Sequence, residues 1–444
     1  MRLRNMRFQL AALLCLITAC NSSADWPGWM GPNRDNRPDD LKLPKDFASQ
    51  PPKVLWRTST DGGYSGPAVS DGRIYVSDYR SGEDNSVANF ERKQITGRER
   101  VRCLDATSGA ELWSHAYPVS YSISYPAGPR CTPTVDDDRV YSLGAEGELI
   151  CFKTEDGEIV WSKNLPREYS TKAALWGYAS HPLIDGDKLI CVVGGSGSHI
   201  VAFNKYTGEE IWRQGTASEQ GYVPPTIINA GGTRQLITAS PDAINSLDPE
   251  TGKPFWSKPY EATNGSIIMS PIVAKIDGQS YLYLAGYSNK NLLLKLSETT
   301  PAAEVVWQDV NKHAVSPVNV QPILDGKMLY GFDQKGALMG IELPSGERQW
   351  ETGQPISERP IQSATAFIMA PKGDDRYLMF TELGDLVIAE MNQAGFNEID
   401  RAHVIDPTGV AFGRRVVWSA PAVDDGKLFI RNDKEVICVQ IAPQ

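Results

Sequence analysis

KVLWRTS (residues 53–59) has the composition of a single β-strand, with β-branched and aromatic residues around a central Trp56. Similar tryptophan-bearing runs recur down the chain, and each of those follows a turn and an earlier strand. This first one follows only a polar, proline-bearing leader. It reads as the last strand of a unit whose earlier strands lie elsewhere in the sequence.

The recurring runs align on their tryptophans: LDATSGAELW (104–113), FKTEDGEIVW (152–161), FNKYTGEEIW (203–212), LDPETGKPFW (247–256) and IELPSGERQW (341–350). A glycine precedes Trp113, Trp161, Trp212, Trp256 and Trp350 by four residues each time. Apolar residues flank a turn of Asp, Asn, Thr or Ser, the signature of a β-hairpin in which side-chain oxygens cap the turn and glycine supplies a positive φ. A sixth copy, LSETTPAAEVVW (296–307), reaches Trp307 through a longer turn. A second marker interleaves with the first: a Pro-x-Val/Ile run, Asp-Gly or a near equivalent, then a β-rich run. GPAVSDGRIYV (66–76), HPLIDGDKLIC (181–191), QPILDGKMLYG (321–331) and APAVDDGKLFI (420–430) are examples, and eight such first hairpins can be counted.

Two hairpins per unit of about 50 residues predict a repeat architecture of four-stranded antiparallel blades, an all-β eight-bladed propeller. The outer strands end near Trp56, Trp113, Trp161, Trp212, Trp256, Trp307, Trp350 and Val404. The last first hairpin is followed only by EVICVQI (435–441). KVLWRTS is thus expected to complete blade eight and close the ring by pairing with the C-terminal strands, which removes the open sheet edge. The domains read as a signal peptide (1–19), a tether and leader (20–52) and one propeller (53–444).

Arg2, Arg4 and Arg7 precede FQLAALLCLITA (8–19), an apolar run too short for a stable membrane-spanning helix. The run ends in Ile17-Thr18-Ala19-Cys20, which resembles the bacterial lipobox and marks Cys20 as a lipidation site. Export follows, with a lipid anchor facing the periplasm and the outer membrane as the favoured location. Removing three arginines leaves 41 basic against 54 acidic side chains, a net charge of −13. That balance disfavours nucleic acid, whose binding relies on clustered Lys and Arg. Cys103, Cys131, Cys151, Cys191 and Cys438 remain in the exported chain. Their odd number and wide spacing do not make a disulfide framework, and three of them share one repeat position as small core fillers.

The tandem Leu/Phe-x-x-x-Thr/Ser/Asp-Gly-x-x-x-Trp units resemble the repeats of the quinoprotein alcohol dehydrogenase-like superfamily over about residues 54–441. The leader DWPGWMGPNRDN (25–36) also resembles the opening of secreted bacterial proteins with quinone-type repeats. In that superfamily the repeated tryptophan docks between blades. Its pyrroloquinoline quinone (PQQ) dehydrogenases use a calcium or lanthanide site and a catalytic Asp, and many a vicinal Cys-Cys disulfide; this chain has no adjacent cysteine pair. The lipobox, length, acidity and repeat count resemble more closely the BamB-like branch of lipid-anchored, non-enzymatic scaffolds. The resemblance therefore implies a monomeric ring with envelope protein partners, no catalytic residues, no metal and no cofactor. The alternative is a PQQ-type oxidoreductase, or a relative that keeps quinone or sugar binding.

The chemistry-bearing residues add little against this. His115, His181, His199, His313 and His403 are scattered without metal-like spacing. GGSGSH (194–199) matches no nucleotide fingerprint and reads as a turn. No serine stands in a Gly-x-Ser-x-Gly elbow. Two insertions depart from the repeat, YPVSYSISYPAGPR (117–130) and PREYSTKAALWGYAS (166–180), where loops enter the first strands of blades two and three. Tyr125, Arg130, Trp176 and His181, in these insertions or at their junctions with strand A, are the candidate binding residues, with the guanidinium expected to take an acidic or carbonyl-bearing partner. A third insertion, 79–100, reads as a solvated excursion over the same face.

Overall fold

The computed structural model describes residues 25–85, 87, 89–310 and 315–441. Cys20 and the signal segment lie outside the described residues. The chain forms eight four-stranded antiparallel sheets in a ring. Calling the strands of each blade A to D from the axis outward, blades one to seven occupy residues 68–123, 134–164, 183–214, 226–259, 272–308, 323–352 and 366–403. Blade eight takes strands A to C from Ala422–Asp424, Lys427–Arg431 and Glu435–Gln440, and strand D from Lys53–Ser59. Val54 pairs with Val439 and Thr58 with Val436. The orphan strand closes the ring as its sequence predicts.

Each blade buries strands B and C and exposes the outer edge of D. Strand D carries a β-bulge immediately before its tryptophan. Cys103 faces Trp113 but Leu104 faces Glu111, which leaves Leu112 unopposed. The same skip falls at Leu55, Val160, Ile211, Phe255 and Val306. A bulge raises local twist and interrupts the ladder, so it blunts an edge that would otherwise template pairing with another chain. Cys103, Cys151 and Cys438 each stand opposite a repeat tryptophan, buried and free.

The tryptophans join blade to blade. Trp113 Nε1 donates to Thr154 O of the next blade at 2.9 Å, Trp161 to Lys205 O at 3.0 Å and Trp212 to Pro249 O at 3.2 Å. Trp307 donates to Pro344 O, Trp350 to Asn392 O, and Trp56 crosses the closure seam to Ala106 O. Trp256 departs from the series: the turn of blade five is longer, and Trp256 donates instead to Gln235 Oε1 in its own blade. The seam has a second latch. Arg431, fully buried in blade eight, donates to Ser77 O of blade one and to Asp61 O in the link that leads into it.

Two insertions are more regular than expected. Residues 93–98 and 118–123 are not loop but extend strands C and D of blade one, so both strands run 13 residues. Half of the insertion before blade two is therefore sheet, while the 79–100 segment joins strand ends at 79–80 and 93–100 through a loop whose described residues are all at least partly exposed. The segment before blade three opens with a one-turn helix, Leu165–Tyr169, capped by Asn164.

The leader from Asp25 onward is packed against the ring. Trp26 exchanges backbone hydrogen bonds with Val69 of blade one, and Pro27 O accepts from Val135 N of blade two. Arg37 reaches Leu324 O of blade six, Asn36 O accepts from Ala370 N of blade seven, and Asp40 accepts from Asp425 N of blade eight. Trp26, Leu41, Leu43 and Phe47 are buried. The leader thus crosses beneath the A–B hairpins and closes that end of the central channel.

Candidate functional site: the channel recess

With one end plugged, the channel is a recess open toward the loops that enter each strand A. Its volume is about 250 Å³, close to the lower end of the ~300–1,000 Å³ typical of small-molecule sites. Every blade contributes to it, because each D–A connection arrives at the axis before its strand A begins. Tyr64, Tyr222, Ser266, Asn319 and Ser363 enter this way from blades one, four, five, six and seven.

The four residues singled out from sequence, Tyr125, Arg130, Trp176 and His181, all line this one recess. Their roles differ. His181 is buried, and its ring stacks on Trp29 of the leader with centroids 4.2 Å apart. Burial, reinforced by the Arg34 guanidinium, holds its pKa well below the usual imidazole value, so the ring is neutral. Neither ring nitrogen has a hydrogen-bond partner among the described residues. Arg34 itself is half-buried and donates to His181 O and Pro182 O; desolvation lowers its pKa to about 10.

Trp176 is held on three sides. Its Nε1 donates to Asn89 Oδ1 at 3.1 Å, Phe90 meets its ring edge-on at 5.6 Å, and Tyr222 packs at 5.6 Å. Phe90 and Asn89 come from the hairpin arm of blade one. Tyr125, in the left-handed region at φ 51°, packs 6.1 Å from Trp418, which lies 6.0 Å from Phe412. Phe412 sits at the tip of a small hairpin, Gly409–Ala411 with Arg414–Val416, that stands outside the eight sheets.

Arg130 is tied to its own and the neighbouring loop. Its Nε donates to Trp176 O, Nη1 to Gly128 O, and Nη2 to both Ser124 O and Tyr125 O. Its face lies 5.1 Å from the Tyr64 ring centre. A planar fork with fixed donors suits this clamping task. Four of the five N–H groups of the guanidinium hold the loop in this way.

Sequence reasoning missed Trp29, Phe90, Phe412 and Trp418. Trp29 stood in a quoted motif, but nothing in the leader indicated that it would reach the axis. Phe412 and Trp418 had one usable signal: the stretch GVAFGRRVVW (409–418) fits no position of the repeat.

Comparison with known proteins agrees with this architecture. The sequence model of the family described as "Outer membrane protein assembly factor BamB" matches residues 97–352 and 240–444. BamB of Burkholderia pseudomallei is 22% identical over 250 residues, 53% of this chain and 60% of that protein. A quinoprotein ethanol dehydrogenase of Pseudomonas putida is 22% identical over 213 residues, 43% of this chain and 33% of that protein. The chain therefore spans only part of the length of these relatives. Among solved structures, BamB from Moraxella catarrhalis superposes with a TM-score of 0.54 at 18% identity, covering 87% of this chain and 97% of that one. Quinohemoprotein alcohol dehydrogenase from Comamonas testosteroni gives 0.63 at 14% identity, covering 95% and 81%. These likenesses speak for the fold alone. On the extent of the family match, the chain belongs to the PQQ-like repeat family of outer membrane protein assembly factor BamB.

Proposed function

We propose that this protein is a non-enzymatic binding scaffold of the bacterial cell envelope, anchored by lipid on Cys20 and engaging an outer-membrane assembly partner with the D–A loop face. One observation carries the reading: the recess on that face is built to hold but not to react. Its one constitutively charged side chain, Arg130, places four of its five N–H groups on backbone carbonyls. Its imidazole, His181, stacks on Trp29 with no carboxylate to orient it. General acid–base catalysis requires a positioned group that titrates near the working pH, and His181 is displaced from that range.

The quinone-dependent relatives raise the alternative of a bound PQQ. That group is a polycarboxylated quinone that works beside a divalent or trivalent metal. A site for it needs cationic donors and a cluster of metal ligands. Among the described residues no three of His, Cys, Asp and Glu come together as a metal site, and four of the five N–H groups of Arg130 are already taken by backbone carbonyls. The residues of the recess do not fit the group.

Site-specific photo-crosslinking in the native envelope tests the scaffold. A photoreactive residue in place of Phe412, on the rim, should capture an envelope protein, and one in place of Asp425, on the plugged face, should not. Capture only from Asp425 would reverse the assignment of faces. Capture from neither, together with dye-linked alcohol oxidation by the full chain after addition of PQQ and calcium, would replace the scaffold with the oxidoreductase.

A further inference from the structure

The first residues of the leader fix where the chain leaves the ring. Asp25 accepts from Ser70 Oγ at 2.9 Å and from Asp71 N at 3.2 Å, at the A–B turn of blade one. Trp26, next to it, is buried and pairs with Val69 of strand A in that blade. The exit point is therefore on the plugged face, at the innermost strand of its blade.

Cys20 lies five residues upstream of Asp25. A fully extended chain advances at most 3.3–3.6 Å per residue, so Cys20 stands no more than about 18 Å from Asp25. To bring the D–A face to a membrane, this tether would have to cross the blade and then climb its height. Three inter-strand steps of about 4.8 Å separate strand A from strand D. A strand of five or six residues is about 17–20 Å tall. The route over the outer edge is therefore about 30 Å, well beyond reach. The shorter way, up the channel, is filled by the leader itself, where Trp26, Leu41 and Leu43 are buried.

Charge gives the plugged face no attraction of its own for lipid. Its A–B turns present exposed Asp71, Asp137, Asp187, Asp277, Asp325 and Asp375. Anionic headgroups attract basic segments, and an acidic surface gains nothing from them. Tether length, not adhesion, then sets the posture of the ring.

We infer that the plugged face is the membrane-facing surface of the ring, held toward the leaflet that carries the lipid on Cys20, and that the recess opens away from the bilayer. The inference rests on the lipid anchor of the proposed function. It decides what can reach the recess. A partner arriving from the aqueous side meets Tyr125, Trp176 and Phe412 at the recess, whereas one embedded in the same bilayer meets the plug.

The test is energy transfer from a fluorophore on the ring to acceptor-labelled phosphatidylethanolamine, with the lipidated full chain inserted into phosphatidylcholine vesicles. Asp277→Cys carries the label on the plugged face and Val410→Cys on the D–A face. Both positions are exposed, and Cys103, Cys131, Cys151, Cys191 and Cys438 are buried, so the label goes where it is placed. Blade five stands opposite blade one in the ring, so an edge-on posture resting on blade one would carry Asp277 away from the bilayer too. Transfer from Asp277→Cys should be at least twice that from Val410→Cys. Inserting a flexible linker of about twenty Gly and Ser residues between Ser23 and Ala24 should erase the difference. Equal transfer, or more from Val410→Cys, on anchored protein would overturn the inference, as would a difference that survives the long linker. Retention of Cys20→Ala on membranes as firmly as the parent would instead sink the lipid anchor and the posture with it, while crosslinking from Phe412 would still judge the scaffold.

Discussion

Gly109 of blade one lies flat beneath the indole of Trp56 in blade eight, so close that a Cβ there would sit 2.5 Å from Cε3 of the ring. Thr58 Oγ1 donates to Gly109 O beside it, and Trp56 Nε1 donates to Ala106 O. The glycine that precedes each tryptophan by four therefore serves two blades. Its φ of 71° turns its own hairpin, and its missing side chain admits the tryptophan of the blade before. Gly157 meets Trp113 in the same way, and Gly208 meets Trp161.

Gly109→Ala should accordingly cost more than backbone strain. A left-handed non-glycine residue costs about 1–2 kcal/mol, and forcing a methyl into a packed core about 1–3 kcal/mol more. Gly72 is the control, since its φ is 70° and nothing lies within 4 Å of its would-be Cβ. In urea denaturation Gly109→Ala should lose clearly more stability than Gly72→Ala. Equal losses would show that the closure seam does not rest on the Trp56 contact.

Arg130 gives a prediction opposite to the one its sequence context suggests. Beside aromatics in a loop it reads as a ligand contact; as a clamp on four backbone carbonyls it is a folding element. Arg130→Ala should lower the melting temperature, and Arg130→Lys should restore little of it, because one ammonium cannot span carbonyls arranged around a planar fork. Full stability in Arg130→Ala would return the residue to the list of free contacts.

The blades were legible because their information is local. A glycine four residues before a tryptophan fixes a hairpin within ten residues, and five such hairpins interleaved with eight first hairpins fix a ring. The ring closure was legible for the same reason: a strand such as Lys53–Ser59 without a partner nearby must find one at the far end. The recess was only half legible. Tyr125, Arg130 and Trp176 stand out because they interrupt a repeat, and His181 because it stands where such an interruption rejoins strand A. Trp29 does not, because its stacking on His181 spans some 150 residues and depends on the path of a leader that has no periodicity. The carbonyls that hold Arg130 are equally invisible, since any loop has carbonyls and only the fold aims them.

Glu99 should impose a pH dependence. It is buried in the hairpin arm of blade one and accepts from Tyr117 OH, Tyr121 OH and Ala145 N. Burial raises its pKa above the ordinary 4.5, and the tyrosine and amide donors offset that only in part. The folded chain then keeps a proton that the unfolded chain has released, so this group's contribution to stability falls as pH rises from about 4.5 toward the folded value. Glu99→Gln has no such proton to lose. Relative to the parent, its urea midpoint should improve between about pH 4 and pH 8. A difference that stays constant across that range would mean that Glu99 is not held protonated.

The leader separates two pictures of the molecule most sharply. If residues 21–52 only tether the ring to a lipid, deleting them and joining Cys20 to Lys53 should leave the melting temperature as it was. The structure argues otherwise. Trp26, Leu41, Leu43 and Phe47 are buried. Arg376 is held by Leu43 O and Pro44 O, and Asp25 accepts from Ser70 Oγ and Asp71 N. Burial of a large apolar side chain contributes about 1.5–3 kcal/mol, so losing four of them exposes a matching apolar patch on the ring as well. The deletion should lower the melting temperature, raise binding of a hydrophobic dye and open the channel through both faces. Trp29→Ala alone should leave most of the stability in place while removing the surface on which His181 stacks. A deletion variant that melts like the parent and binds no dye would reduce the leader to a tether and leave the recess without its floor.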